Sequence, residues 1–254
     1  MNDDELRRLA EEDFFVGYFP MSAGQKRFAA AVTAAMVVLV LAAGAAAAWF
    51  QRNPGERLAP YQRNQELTGV LVDAPYPMLR TRDEDGTVRH VLLVTGAKFV
   101  WRLPAGTRGT AATLRGNLLE RDGQRMLEVF GRADAEVADA AALAALAPDP
   151  VGEVALSGEI VDSKCFYGRM RPGGGRTHRA CAQLCVAGGI PPVLVTRDAD
   201  GEERFYVLAS RDGRSVAADV LPFIAEPVRV RGTLERVGSD LNVLRIDPRD
   251  IQRL

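Results

Sequence analysis

Residues 67–77 read LTGVLVDAPYP, and residues 156–166 read LSGEIVDSKCF. Each runs from leucine through a hydroxyl residue and a glycine into a short apolar stretch ending in aspartate, Asp73 in the first and Asp162 in the second. The echo continues downstream, where ATLRGNLLERDGQRMLEV at 112–129 is answered by VRVRGTLERVGSDLNVLRI at 228–246. Short apolar runs separated by turn formers are the pattern of an all-β barrel or sandwich. The chain is therefore expected to be mainly β, with one small β domain over 65–133 and a second copy over 153–254.

The second copy is the longer, and most of the surplus falls in its opening stretch. Tyr76 of the first copy stands where the second has Cys165, and the first copy contains no cysteine. The fold is thus expected to form without the extra residues 163–193, which makes them either a local stabiliser or a functional graft. Between the copies, 134–152 is rich in alanine and leucine and is bounded by Pro148 and Pro150, which predicts a short spacer helix.

All three cysteines and one of the two histidines lie in the extra stretch, DSKCFYGRMRPGGGRTHRACAQLCVAGGIPPV at 162–193. Residues 177–186 lack glycine and proline, follow a PGGGR segment expected to be flexible, and end at Gly188 and Gly189, so they predict a helix with a glycine stop. His178, Cys181 and Cys185 then sit at i, i+3 and i+7, within roughly 60° of one another on one face. Cys165 would join them if the intervening loop folds back. Three thiolates and an imidazole form a recognised zinc set, and soft ligands also suit Cu(I) or an iron–sulfur cluster. In an exported domain the same thiols could instead close a structural disulfide from Cys165 to Cys181 or Cys185. A reactive thiol activated by His178 is the third reading. Met170 reads as packing or as an extra soft ligand, and His90, in VRHVLLV, as an exposed or edge residue.

Arg169, Arg171, Arg176 and Arg179, with Lys164, surround this cluster, and no acid lies between Asp162 and Asp198. They read as a solvated face or as a dock for an acidic partner.

Residues 28–50, FAAAVTAAMVVLVLAAGAAAAWF, carry no charge and suffice to cross a bilayer core of ~30 Å. A cleaved signal peptide is the rival, since small residues close the run. Residues 1–27 argue for an uncleaved anchor, because they open with Asp3, Asp4, Glu5, Glu11, Glu12 and Asp13 where a signal peptide has a short basic segment. The expected order is a cytoplasmic tail (1–27), one transmembrane helix (28–50), a linker (51–64) and the exported β domains. Phe14, Phe15, Tyr18 and Phe19 form a membrane-surface segment or a docking peptide for an integral-membrane partner.

With Lys+Arg 32 against Asp+Glu 33, the chain has no basic surplus for a phosphate backbone, and no nucleic-acid motif appears. No hydrolase or phosphate-loop motif is present, so enzymatic catalysis is disfavoured.

Over 154–247 the second copy resembles a poorly characterised group of small exported bacterial domains. The resemblance rests on Gly158, Ile160, Asp162 and Cys165, on His178, Cys181 and Cys185, and on Gly188, Gly189, Pro191, Pro192 and Val193. It implies an OB-like barrel and an exported setting, and says little about activity. Together these readings predict two tandem OB-like barrels held outside the cytoplasm by a bacterial inner-membrane anchor. The expected function is an accessory subunit of a respiratory or redox assembly with a Cys3His metal or redox site. The alternative is a non-catalytic exported binding module stapled by a disulfide.

Overall fold

The computed structural model describes residues 2–5, 8, 21–50 and 61–254. They fall into two compact units, Met1–Gly55 and Glu56–Leu254. The aromatic residues Phe14, Phe15, Tyr18 and Phe19 lie outside the described residues.

In the first unit, α1 (Ala23–Phe50) begins ahead of the apolar run because a capping box sets its start. Gln25 N donates to Ser22 Oγ (3.2 Å), and Ser22 N donates to Gln25 Oε1 (3.1 Å), so two amides left over at the helix start satisfy each other's side chains. None of its residues is buried within the unit. At 28 residues it is long and apolar enough to cross a membrane, a length and composition that a signal sequence shares.

The second unit opens with β1 (Gln62–Asp73), β2 (Pro77–Arg82), β3 (Val88–Val94), β4 (Ala111–Arg121) and β5 (Gln124–Asp134). They close a barrel in the order β1-β2-β3-β5-β4. All its pairs are antiparallel except β3 with β5. Asp122-Gly123, both at positive φ, make the tight two-residue turn between β4 and β5. The predicted spacer helix is α2 (Ala140–Ala145), shorter than the 134–152 span expected for it because β6 (Asp149–Asp162) has already begun by Asp149.

After β6 come α3 (Arg179–Ala187), β7 (Pro192–Arg197), β8 (Glu203–Ser210), α4 (Ala217–Val220), β9 (Pro227–Val237), β10 (Leu241–Ile246) and β11 (Ile251–Arg253). They form a six-stranded sheet in the order β10-β8-β7-β6-β9-β11, with β10 also paired to β9. Again one pair, β8 with β10, is parallel.

The glycines of the two quoted stretches do equivalent work. A Cβ on Gly69 would run into Arg80 O on β2, and a Cβ on Gly158 into Val195 O on β7. Only glycine lets β1 and β6 approach their neighbours this closely.

Runs such as HVLLV break the in-out alternation of a one-faced strand because both faces are covered. Leu71, Leu79, Val91, Leu93, Leu118 and Leu127 cluster within the first segment. Their chain neighbours Val72, Met78, Leu92, Leu119 and Met126 join Val161, Val193, Phe205, Val207 and Val243 of the second in a shared core. A third cluster belongs to the second segment alone and contains Ile160, Leu194, Leu208, Leu244 and Ile246. Each such side chain contributes about 1.5–3 kcal/mol when fully buried, so the shared core binds the two segments into one body.

Polar contacts cross the same interface. Tyr76 Oη donates to Leu208 O (3.0 Å), and burial pushes its hydroxyl pKa up to about 12. His90 corrects the expectation of an exposed or edge residue: it is 4% exposed, with Nδ1 2.8 Å from Asp240 Oδ1 and its backbone N donating to Asp240 Oδ2. The β9–β10 turn covers a strand face that would otherwise meet solvent.

Gly69→Ala and Gly158→Ala should each cost about 1–3 kcal/mol by overpacking. Gly96→Ala, where a Cβ meets open space, should stay within about 0.5 kcal/mol. Urea denaturation of the full chain in non-ionic detergent, followed by near-ultraviolet circular dichroism, compares the three.

Candidate metal centre

The end of β6 delivers Asp162 to the interior, where it is 0% exposed. Its Oδ1 accepts from Cys165 N (2.8 Å), which starts a wide turn over Cys165–Arg169, and its Oδ2 lies 3.2 Å from His178 Nε2. One carboxylate therefore orients both the cysteine and the histidine. The loop between them is tied to β6 by Gly175 N donating to Glu159 Oε1 (2.6 Å). A short 3-10 turn, Arg176–His178, leads into α3, which stops at Gly188 as predicted.

This path brings the sequence-predicted ligands to Cys165 in two overlapping groups. Cys165, His178 and Cys181 place their ligand atoms within 4.8 Å of one another, as do Asp162, Cys165 and Cys185. Cys165 Sγ and Cys185 Sγ are 4.0 Å apart, and all three cysteines are free. Cys165, Cys185 and His178 are buried, while Cys181 is partly open to solvent. Met170 is exposed.

Two residues of the site carried no recognised role in the sequence. Asp162 was visible only as part of a recurring motif. Lys98 comes from the other segment, in the loop after β3. Its Nζ donates to Cys181 Sγ (2.8 Å) and reaches Cys185 Sγ at 3.6 Å. The Cys181 contact holds the Lys98 pKa up at about 12. Hydrogen bonding from Cys165 lowers the Cys185 thiol below its ordinary value, aided by the Lys98 charge and opposed by burial and Asp162. The same sulfur contact, burial and the Asp162 charge raise Cys165. Cys185 is thus the more acidic thiol of the pair.

Lys98 is delivered by two contacts. A Cβ on Gly188 would run into Lys98 O, and Val100 N donates to Gly188 O (3.1 Å), so the glycine stop of α3 is also the seat of this loop. Beside it Lys164, with a side chain 4% exposed, donates to Thr95 O (2.8 Å) and Ala97 O (2.7 Å) and pairs with Glu128 Oε1 (2.9 Å).

Lys164 is therefore internal rather than part of a solvated basic face. Arg169 also pairs with Glu128 (3.2 Å), Arg176 pairs with Glu226 (3.5 Å), and Arg179 pairs with Glu226. The acids missing from 163–197 are supplied by β5 and the loop before β9, which offsets the positive field expected there. Arg171 is exposed and has no ion pair among the described residues.

No family model matches the chain, and no curated protein matches it. The Cys/His cluster at 165–185 has a donor set able to bind a metal ion.

Lys164→Met should cost about 3 kcal/mol, since it leaves the buried Glu128 with the half-exposed Arg169 as its counter-charge, beside the Tyr61 hydroxyl that donates to it. Adding Glu128→Leu should recover most of that loss. Urea denaturation of both variants measures the difference.

Proposed function

We propose that the protein is a membrane-anchored accessory subunit of a bacterial respiratory or redox assembly, with a metal ion held by Cys165, His178, Cys181 and Cys185. The observation that carries this reading is the convergence of three free thiols and a buried imidazole around Cys165. Two sulfurs bound to a tetrahedral ion at ~2.3 Å lie about 3.8 Å apart. The Cys165–Cys185 separation of 4.0 Å is near that value. With Nε2 facing Asp162, the histidine keeps Nδ1 for a metal, the carboxylate–histidine arrangement that orients ligands in such sites. Three thiolates around a divalent ion leave one negative charge, and Lys98 offsets it. The donor set favours zinc and admits Cu(I).

The β segments are read as two copies of one OB-like unit. Supporting this, β6-β7-β8-β10-β9 pair in the succession of β1-β2-β3-β5-β4, each with its third and fifth strands parallel. Residues 163–191 take the place of 74–76 between the first two strands, which makes the metal-binding stretch a graft on the second copy. The length and composition of α1 support an inner-membrane anchor with the β unit exported. The partner is an integral-membrane or redox protein, met by the N-terminal aromatic segment and by Arg171 beside the site.

The other reading, a binding module with a structural disulfide, draws on the same adjacency of Cys165 and Cys185.

The full chain, purified in non-ionic detergent without chelator, should carry one equivalent of zinc or copper by elemental analysis. His178→Ala and Cys185→Ala should lose that metal. A native mass lower by two hydrogens, with no bound ion, overturns the metal reading and leaves the disulfide module.

A further inference from the structure

Away from the cysteines, the two β segments border a partly open cavity of about 480 Å³, within the size range of small-molecule sites. Its walls include Asp73 at the end of β1, Arg80 on β2, Arg108 on the loop before β4, and Glu235 and Arg245 on β9 and β10.

Arg80 is 7% exposed. Its Nη1 donates to Leu143 O (2.7 Å) and Ala144 O (3.3 Å), carbonyls at the end of α2, and its buried Nε has no hydrogen-bond partner. Among the described residues no carboxylate lies within ion-pair reach of it, in contrast to Lys164, the other deeply buried cation, which has Glu128. Burial lowers the Arg80 pKa, with no acid opposing the shift. Arginine does not escape the cost of burial by losing its proton at neutral pH, so a buried guanidinium without a counter-charge is costly.

The other cavity charges do not fill that role. Glu235 is engaged by Arg245 Nε (2.8 Å). Asp73 is exposed, and Arg108 is exposed with no ion pair among the described residues. Arg80 and Arg108 are thus two unmatched guanidinium groups on one cavity, whose remaining wall includes Val72, Val237 and Val243.

We propose that this cavity binds a small organic anion, with its carboxylate or phosphate group on Arg80 and Arg108 and its apolar body along the valines. The guanidinium fork is suited to paired hydrogen bonds with such an oxyanion. The site is independent of the metal centre, and it joins the two segments because its ligand touches both.

The test titrates the full chain in non-ionic detergent with benzoate and, separately, with inorganic phosphate, by calorimetry and by the rise in melting temperature that ligand binding produces. Saturable millimolar or tighter binding of benzoate is expected. Arg108→Ala, on an exposed residue, should weaken it by about tenfold without lowering the ligand-free melting temperature. Asp73→Asn should tighten it a few-fold by removing a like charge from the rim. Phosphate binding in place of benzoate, with the same response to Arg108→Ala, supports the oxyanion seat and assigns it to an inorganic ion. No saturable binding of either probe, or binding indifferent to Arg108→Ala, overturns the proposal and leaves Arg80 as a cap on α2.

Discussion

A lysine ammonium removed from water must have all three of its protons accepted and its charge balanced. Lys164 places two of those protons on Thr95 O and Ala97 O and balances its charge against Glu128, all three of them in the first segment. Its position directly before Cys165 makes that contact decisive for the cysteine cluster. The carbonyls it holds are those of the loop carrying Lys98, and Lys98 is the group that reaches Cys181 and Cys185. The cluster is therefore completed across the interface between the segments, although all its thiols come from one of them.

The same interface explains why the strands are so uniformly apolar. A strand of an isolated small barrel turns one face to solvent and shows it as alternation. Here alternate residues of β1, β2 and β3 enter different clusters, one private to the first segment and one shared. The close approaches at Gly69 and Gly158 set the strands tightly enough for those faces to meet their partners. The two segments, each with a private cluster, gain a common core this way.

The two segments also use the turn after their first strand differently. In the first, residues 74–76 are enough to seat Tyr76 against Leu208 and Val216 of the second. In the second, residues 163–191 form the same connection, and its charged and sulfur-bearing side chains reach back to the first segment. Each segment thus inserts its first connection into the other. One insertion is a simple hydrogen-bonded anchor, and the other carries the Cys/His cluster.

Several features were determined by the sequence itself. The apolar run and the Ser22–Gln25 capping box specify α1, the Asp122-Gly123 pair specifies a hairpin, and the i, i+4 spacing places Cys181 and Cys185 on one face of α3, whereas His178, expected on the same face, sits in the 3-10 turn ahead of it. These depend on contacts a few residues long, where backbone geometry is the main constraint. Only the tertiary structure decided that Lys98 belongs to the site, that His90 is buried against Asp240, that Glu128 and Glu226 balance the arginine-rich loop, and that Asp162 orients two of the predicted ligands. Local periodicity reveals which face of an element is apolar, but not which distant element covers it. The partners of a buried charge depend on that covering element.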